Sequence, residues 1–128
     1  MKVLLLGFGK IAYMPSDRYE FAKNTDMIHN IYDCGYTTGN AMGNKYYDGI
    51  IFGIPQICTE GSYMGKLVEK TGVGLTILLD LPNMADIIWQ YYDSITWNTF
   101  EKACSAELDS IIEQQQVAKK KLVDFCND

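Results

Sequence analysis

The sequence predicts an α/β domain: a Rossmann-like parallel sheet flanked by helices, with a long C-terminal helix. Short apolar runs, typical of buried strands, alternate along the chain with segments of helical periodicity, and glycine-rich corners separate them. This alternation favours a parallel sheet, because parallel strands are joined by crossover helices. At 128 residues the chain is long enough for one such domain, so residues 1–128 are predicted to form a single unit.

The stretch from Gly39 to Thr76 contains the clearest secondary-structure signals. A helix is predicted over 44–52, because apolar residues recur there at the spacing of one helical face. These residues are Tyr46, Tyr47, Ile50 and Ile51. Gly53 follows directly, and a glycine in this place commonly ends a helix. We therefore expect the helix to stop there with the stripe against the sheet.

A strand, a turn and a second helix are predicted next. The apolar run 54–58 is predicted to be a strand, with Pro55 at its start, where a missing backbone N–H is tolerated. The small-residue turn after it ends in Ser62, a good N-cap for a helix over 63–70. Gly72 is placed to end that helix.

Further elements are predicted on both sides of this stretch. The apolar runs 1–8, 25–32 and 73–79 are predicted to be strands, and helical spacing predicts helices over 84–92 and about 99–125. The residues expected to pack inward from these two helices are Met84, Ile87, Ile88, Tyr91, Phe100, Ala103, Cys104, Leu108, Ile111 and Ile112. Beyond them the last helix becomes polar and basic, which favours a solvated end over a membrane contact.

Composition excludes several function classes. The net charge of −5 repels a phosphate backbone, so nucleic acid is not an expected partner. Four scattered cysteines and one histidine give no metal-ligand spacing, so we expect no metal site and reduced thiols, with Cys58 a small buried hydrophobe. No apolar run is long enough to cross a bilayer, and the N-terminus lacks signal-peptide features. Gly7-Phe8-Gly9 is only half of a dinucleotide fingerprint.

The order strand, small-residue turn, helix suggests anion binding at the carboxyl edge of the sheet. Backbone N–H groups at the start of a helix have no partner inside it, and a diphosphate can accept from them. The amides around Gly61, Ser62 and Tyr63 are the candidates. The alternative is an α/β domain whose turn binds nothing, and the pattern alone leaves both open.

An ordered set of short motifs adds a family resemblance. The motifs are Asn44-Lys45-Tyr46-Tyr47-Asp48, Gly53-Ile54-Pro55, Thr59-Glu60-Gly61-Ser62, Val68-Glu69 and Gly72-Val73-Gly74-Leu75. Together they resemble the C-terminal, donor-binding domain of GT-B glycosyltransferases of bacterial surface and capsular polysaccharide synthesis, over about residues 24 to 112. The resemblance implies one half of a GT-B fold and a nucleotide-diphosphate sugar as the ligand, with no further cofactor.

The resemblance also implies roles for individual residues. Lys45 would lie near the donor diphosphate, Asp48 would hold the ribose hydroxyls, and Glu60 would contact the sugar. The donor-binding set is Asn40, Asn44, Lys45, Asp48, Glu60, Gly61, Ser62 and Tyr63. His29, Asn30 and Tyr32 belong to a strand and loop that line the nucleotide cleft in the family. A surface ion pair between Lys45 and Asp48 is the structural alternative.

The sequence departs from the family pattern at one acidic position. Retaining members often carry two acidic residues eight positions apart, and Asn40 stands eight before Asp48. Asn40 offers hydrogen bonding without charge, which leaves stereochemistry and donor identity open. The acceptor base would come from the opposite domain, so no catalytic residue is assigned.

These observations lead to one functional hypothesis and one alternative. Residues 1–15 resemble the first strand of the acceptor domain, and we expect a truncated or internally deleted glycosyltransferase that transfers sugar poorly or not at all by itself. Its expected location is the cytoplasm, with at most peripheral contact with the inner membrane, and its expected partner is an acceptor-domain protein or a second copy. The alternative is a non-catalytic α/β binding or interaction module without an acceptor domain.

Overall fold

Four parallel strands form the centre of the molecule. The computed structural model describes residues 3–4, 20, 22–33, 35, 39–40 and 42–127. The strands are β1 (Val3–Leu4), β2 (Met27–Asn30), β3 (Gln56–Thr59) and β4 (Gly74–Ile77). They lie side by side in the order of the sequence, and each pairs with the next in parallel. The predicted α/β class with a parallel sheet is therefore confirmed.

Four helices accompany these strands in the described part of the chain. They are α1 (Asn44–Phe52), α2 (Tyr63–Thr71), α3 (Met84–Ser94) and α4 (Trp97–Asn127). The long C-terminal helix is confirmed, and it begins two residues before the predicted start at Thr99. α1 connects β2 to β3, and α2 connects β3 to β4, as the parallel pairing requires.

The ends of α1 and α2 follow from local chemistry. Gly53 and Gly72 both adopt left-handed backbone conformations, with φ of 64° and 76°, and their N–H groups donate back to Gly49 O and Val68 O. A glycine adopts this conformation without the steric penalty that a side chain brings. At the start of α2, the Ser62 side chain accepts from the Gly65 amide. These three positions are the ones that the sequence predicts.

The larger core lies on the face of the sheet covered by α1, α2 and α4. Its buried members are Tyr46, Ile50, Cys58, Met64, Val68, Val73, Phe100 and Cys104. Tyr46 is fully buried, and its hydroxyl donates to Glu107 Oε1 at 3.0 Å, which ties the first turn of α1 to α4. Burial, and then the Glu107 carboxylate, raise the pKa of this phenol.

A second core lies on the opposite face, beneath α3. Met27, Ile57 and Ile77 are buried there, one from each of the three longer strands. Four residues of α3 predicted to pack inward do so as half-buried side chains: Met84, Ile87, Ile88 and Tyr91. The sheet is thus covered on both faces, so the polar residues Asn30 and Gln56 of its strands are buried as well.

Two predicted core stripes are partly wrong. In α1 the buried residues are Tyr46, Gly49 and Ile50, whereas Tyr47 and Ile51 are 36 % and 56 % exposed. The helix is rotated because the backbone at Gly49 packs closely on Gln56, whose Cδ would lie 2.6 Å from a Cβ at position 49. In α4, Ile112 is 43 % exposed because the helix has by then passed the edge of the core.

The direction of α4 follows from its contacts. Near its start it lines a cavity together with Thr71 and Gly72, at the end of α2. Roughly two turns beyond Phe100, Glu107 of α4 reaches Tyr46, in the first turn of α1. α2 ends at the amino edge of the sheet and α1 begins at the carboxyl edge, so α4 runs from the first edge to the second. Its residues beyond Ile111 continue past the carboxyl edge.

Some sequence predictions fall outside the described residues. Of the N-terminal strand predicted over 1–8, only Val3 and Leu4 are described, where they pair with Met27 and Ile28. The rest of residues 1–15, predicted to be a remnant of an acceptor domain, lies outside that part of the chain. The assignment of the sheet to one half of a GT-B fold stays a prediction.

Candidate functional site

The carboxyl edge of the sheet carries the residues of the predicted site. α1 follows the loop after β2, and α2 follows the turn after β3, so both helices begin at this edge. Lys45 is the second residue of α1, and Ser62 caps α2. The predicted cation and the predicted small-residue corner are therefore on the same side of the molecule.

Lys45 is held at the end of β2. Its ammonium donates to His29 O at 3.3 Å and lies 5.9 Å from the centroid of the Tyr32 ring. Burial lowers the pKa of Lys45, and the pKa of His29 is lowered first by burial and then by the neighbouring Lys45 charge. A half-buried ammonium on a carbonyl and an aromatic face is less solvated than one in water, which strengthens its attraction for an anion.

Tyr32 lies between the start of α1 and the start of α2 at this edge. A Cβ added at Gly43, the N-cap of α1, would lie 3.8 Å from Tyr32 Oη and 3.9 Å from Met64 Sδ in the first turn of α2. The starts of α1 and α2 therefore converge on the Tyr32 ring, beneath Lys45. Burial raises the pKa of the Tyr32 hydroxyl, so it remains a hydrogen-bond donor at neutral pH.

Thr59 fixes the position of Tyr32. Its hydroxyl donates to Tyr32 O at 2.8 Å and accepts from Tyr32 N at 2.9 Å. The Thr59 hydroxyl thus bonds the backbone of Tyr32 just beyond the last paired residues of β2 and β3. From the sequence, Thr59 is predicted only as part of the turn after the strand. A threonine directly after an apolar strand was the available signal, since its hydroxyl can bond neighbouring backbone groups.

The corner after β3 uses several of its polar groups internally. Ser62 Oγ donates to Thr59 O at 2.6 Å and accepts from Gly65 N at 2.9 Å. The Ser62 amide donates to Thr59 O at 3.2 Å, and the Tyr63 amide donates to Gly39 O at 2.8 Å. A diphosphate at this corner would have to displace Gly39 O before it could accept a hydrogen bond from the Tyr63 amide.

The remaining predicted donor-binding residues surround this corner. Asn40, Asn44 and Glu60 are exposed, and Asp48 is half-buried one turn after Lys45. Gly61 has a left-handed φ of 76°, with open space where a Cβ would be. The Glu60 amide donates to Ile77 O at 3.0 Å, which leaves its side chain at the rim of the edge. Their roles toward a sugar nucleotide stay predictions.

Asn30 does not face a cleft. It is fully buried, and its Nδ2 donates at 2.7 Å to Oε1 of the equally buried Gln56. Gln56 Nε2 donates in turn to Tyr46 O at 2.9 Å, so the two amides link β2, β3 and α1. Asn30 Oδ1 has no hydrogen-bond partner in the described part of the protein. Asn30 is therefore a structural residue.

Cys58 lies beside Asn30 in the paired strands and is fully buried. Burial raises the pKa of its thiol to about 12, and burial raises that of Cys104 to about 11. Both thiols are therefore protonated at neutral pH and are not nucleophiles. The predicted small buried hydrophobe at position 58 is confirmed.

Thiol labelling gives a direct check of this assignment. A maleimide applied to the native protein near pH 8 is expected to modify Cys126, which is exposed, at least about tenfold faster than Cys58 or Cys104. Peptide mass mapping at several times measures the three rates separately. Labelling in denaturant, where all three should react alike, is the control. Equal native rates at positions 58 and 126 would contradict the burial of Cys58.

The cavity between the end of α2 and the start of α4 has a volume of about 330 Å³. Five hydroxyl side chains line it: Thr71, Tyr91, Ser94, Thr96 and Thr99. Two of these hydroxyls donate to carbonyls of their own helices, Thr71 to Leu67 O and Ser94 to Tyr91 O. This cavity is at the amino edge of the sheet, so it shares no wall with Lys45.

Comparisons with known proteins add no family to this description. A scan against protein-family models, a search of curated proteins and a search of solved structures each returned no match. Within the described ranges, no helix is long and apolar enough to cross a bilayer. The same residues contain no group of three or more His, Cys, Asp or Glu side chains that could hold a metal ion.

Proposed function

We propose that this chain binds a nucleoside-diphosphate sugar at the carboxyl edge of its sheet, as the donor-binding half of a glycosyltransferase of polysaccharide synthesis. One observation carries the proposal: Lys45, the starts of α1 and α2, and Tyr32 meet at that edge. Ligands of open parallel α/β sheets bind outside the carboxyl ends of the strands. A partly desolvated ammonium beside a helix start suits an anionic diphosphate.

Each part of the edge has a distinct task in this proposal. Lys45 neutralises the charge that develops on the departing diphosphate, which is the main requirement of the donor side. Asp48 and Glu60 accept from ribose and sugar hydroxyls, and the exposed amide side chains of Asn40 and Asn44 bond the sugar. The chain supplies no assigned acceptor base, so we expect binding without efficient transfer.

Removing the Lys45 charge tests the proposal. Lys45→Ala is expected to weaken binding of UDP or GDP about tenfold or more, because a hydrogen bond to a charged group contributes about 1.5–3 kcal/mol. Amide chemical shifts followed by NMR during a nucleotide titration measure the affinity and locate the site. The perturbed amides should include those around Lys45, Asp48 and Gly61.

Lys70→Ala is the matched control, because Lys70 is an exposed lysine in the last turn of α2, away from the carboxyl edge. This variant should bind like the unmodified protein. If millimolar nucleotide leaves the amides around Lys45 and Asp48 unperturbed, the proposed function is wrong. Equal losses in the two lysine variants would show only non-specific charge attraction.

A second candidate is a non-catalytic interaction module. The observation that favours it is the second half of α4, where Ile112, Leu122 and Phe125 are 43 %, 63 % and 79 % exposed. Several exposed large apolar side chains close together are typical of a protein contact. Failure of the nucleotide titration together with specific association through α4 would select this candidate.

A further inference from the structure

The cavity at the amino edge of the sheet takes no part in the proposed function. Three segments line it: the end of α2, the connection from α3 to α4, and the first turns of α4. Besides the five hydroxyl side chains already named, its walls are Gly72, Ile95, Phe100 and Ala103. We call this space the amino-edge cavity. Its volume of about 330 Å³ lies at the lower end of the range for small-molecule sites.

The amino-edge cavity is uncharged. Among the described residues, no Asp, Glu, Lys or Arg side chain lines it. Four charged residues are adjacent in sequence to lining residues but do not line the cavity themselves: Lys70, Asp93, Glu101 and Lys102. A charged ligand would therefore lose part of its hydration here without gaining a counter-charge. The lining thus favours a neutral ligand.

The hydroxyl groups of the cavity offer both donors and acceptors. Those of Tyr91, Thr96 and Thr99 form no hydrogen bond with the described part of the protein, and each can donate one bond and accept others. Burial raises the pKa of Tyr91 to about 12, so its hydroxyl stays protonated at neutral pH. Ser94 Oγ donates to Tyr91 O at 2.7 Å, which leaves its oxygen as an acceptor. A matching ligand needs several groups that can both donate and accept.

One side of the cavity is apolar. Phe100 is only 4 % exposed and belongs to the larger core, against which Ile95 and Ala103 also pack. Thr71 adds little polarity to this side, because its hydroxyl donates to Leu67 O at 2.7 Å. A ligand that fills the space must therefore present apolar C–H groups as well as hydroxyl groups.

From these observations we infer that the amino-edge cavity binds a neutral polyhydroxylated ring, either a monosaccharide or a cyclic polyol. The C–H groups of the ring pack against Phe100 and Ile95. Its hydroxyls exchange hydrogen bonds with Tyr91, Ser94 and Thr99. A ring with a single hydroxyl would leave most of these polar groups unmatched. The inference does not depend on the proposed nucleotide site, because the cavity is at the opposite edge of the sheet.

NMR titration of the full chain tests the inference. D-glucose, D-galactose and myo-inositol are added separately, and at least one is expected to bind with a dissociation constant in the millimolar range. The perturbed amides should include Gly72, Ile95 and Thr99, whereas those around Lys45 should not shift. Which of the three compounds binds distinguishes a sugar from a cyclic polyol. Cyclohexanol should bind at least about tenfold more weakly than the best of them, because it forms fewer hydrogen bonds.

Two serine variants form a matched pair. Ser94→Ala removes an acceptor from the cavity and should weaken binding about fivefold, the loss expected for one net hydrogen bond. The control is Ser105→Ala, because Ser105 is also an exposed serine whose Oγ donates to a carbonyl of its own helix, Glu101 O at 3.0 Å. Ser105 does not line the cavity, so this variant should bind like the unmodified protein.

Filling the space is a second way to remove the site. Ala103→Leu places a larger side chain in the wall and is expected to abolish binding of the sugar or polyol. Circular dichroism checks that this variant is folded, and if it is not, the serine pair decides by itself.

Three results would overturn the inference. They are the absence of shifts at the cavity amides with all three compounds through the millimolar range, binding of cyclohexanol as tight as that of the best polyol, and equal effects of the two serine variants. Binding of a sugar or polyol that Ser94→Ala weakens and Ser105→Ala does not would support it.

Discussion

Gly65→Ala is expected to lower the free energy of unfolding by about 3 kcal/mol. Gly65 is the third residue of α2, where intrinsic helix propensity alone would make alanine more stable by about 1 kcal/mol. The expected sign is reversed because a Cβ at this position would fall against the backbone oxygen of Thr59. It would also lie 3.1 Å from Ser62 Oγ. Backbone at the end of a central strand cannot move aside as a surface side chain can.

The substitution also affects the start of α2. The Gly65 amide donates to Ser62 Oγ, which in turn donates to Thr59 O, so moving α2 away from β3 disrupts both bonds. Loss of an N-cap by itself costs about 1 kcal/mol. Urea unfolding followed by circular dichroism measures the change. Lys66→Ala, at the exposed neighbouring position, should change stability by no more than about 0.5 kcal/mol.

A Gly65→Ala variant that is as stable as the unmodified protein would contradict the close approach of α2 to β3. The same variant tests the candidate site. If Gly65→Ala remains folded in the absence of urea, the displaced start of α2 should also weaken nucleotide binding.

Gln56→Leu is expected to lower the free energy of unfolding by a similar amount, about 3 kcal/mol. The leucine conserves volume but removes the acceptor of Asn30 Nδ2 and the donor to Tyr46 O. Asn30 lies in the interior, where a polar group without a partner carries its full desolvation penalty, whereas Tyr46 O keeps its place in the hydrogen-bond ladder of α1. Asn30 is the more affected, because its Oδ1 already lacks a described partner.

A double-mutant cycle separates this cause from simple repacking. Adding Asn30→Leu to Gln56→Leu removes the orphaned amide, so the double variant should be more stable than the sum of the single effects predicts, by about 1–2 kcal/mol. Replacing both polar partners by apolar groups of similar shape is often close to neutral. Additive losses in urea unfolding would show that the Asn30–Gln56 bond contributes no coupling energy.

Local signals in the sequence were sufficient for the helix ends. The predicted limits of α1, 44–52, are those observed, and Ser62, Gly53 and Gly72 perform the predicted capping roles. Such signals act within one helical turn, so no distant part of the chain is needed to interpret them. Strand limits were less well predicted: 73–79 became Gly74–Ile77. A strand ends where its neighbour stops pairing, which the strand's own residues do not encode.

The orientation of helices depended on the tertiary structure. Tyr47 and Ile51 fit an apolar stripe as well as Tyr46 and Ile50 do, and only the contact of Gly49 with Gln56 selects between them. In α4, Leu108 and Ile112 fit the same helical periodicity, but Leu108 packs against the core whereas Ile112 is exposed. Periodicity shows that a helix has an apolar face and leaves open what that face meets.

The sequence by itself determined the element order, the helix caps and the presence of Lys45 and a small-residue corner beside two helix starts. Only the tertiary structure decided which groups remain available there. It uses the Tyr63 amide for Gly39 O and buries Asn30 against Gln56, while residues 112–127 of α4 are exposed. The physical reason is that caps and periodicity are short-range properties, whereas burial and hydrogen-bond pairing join residues far apart in the chain.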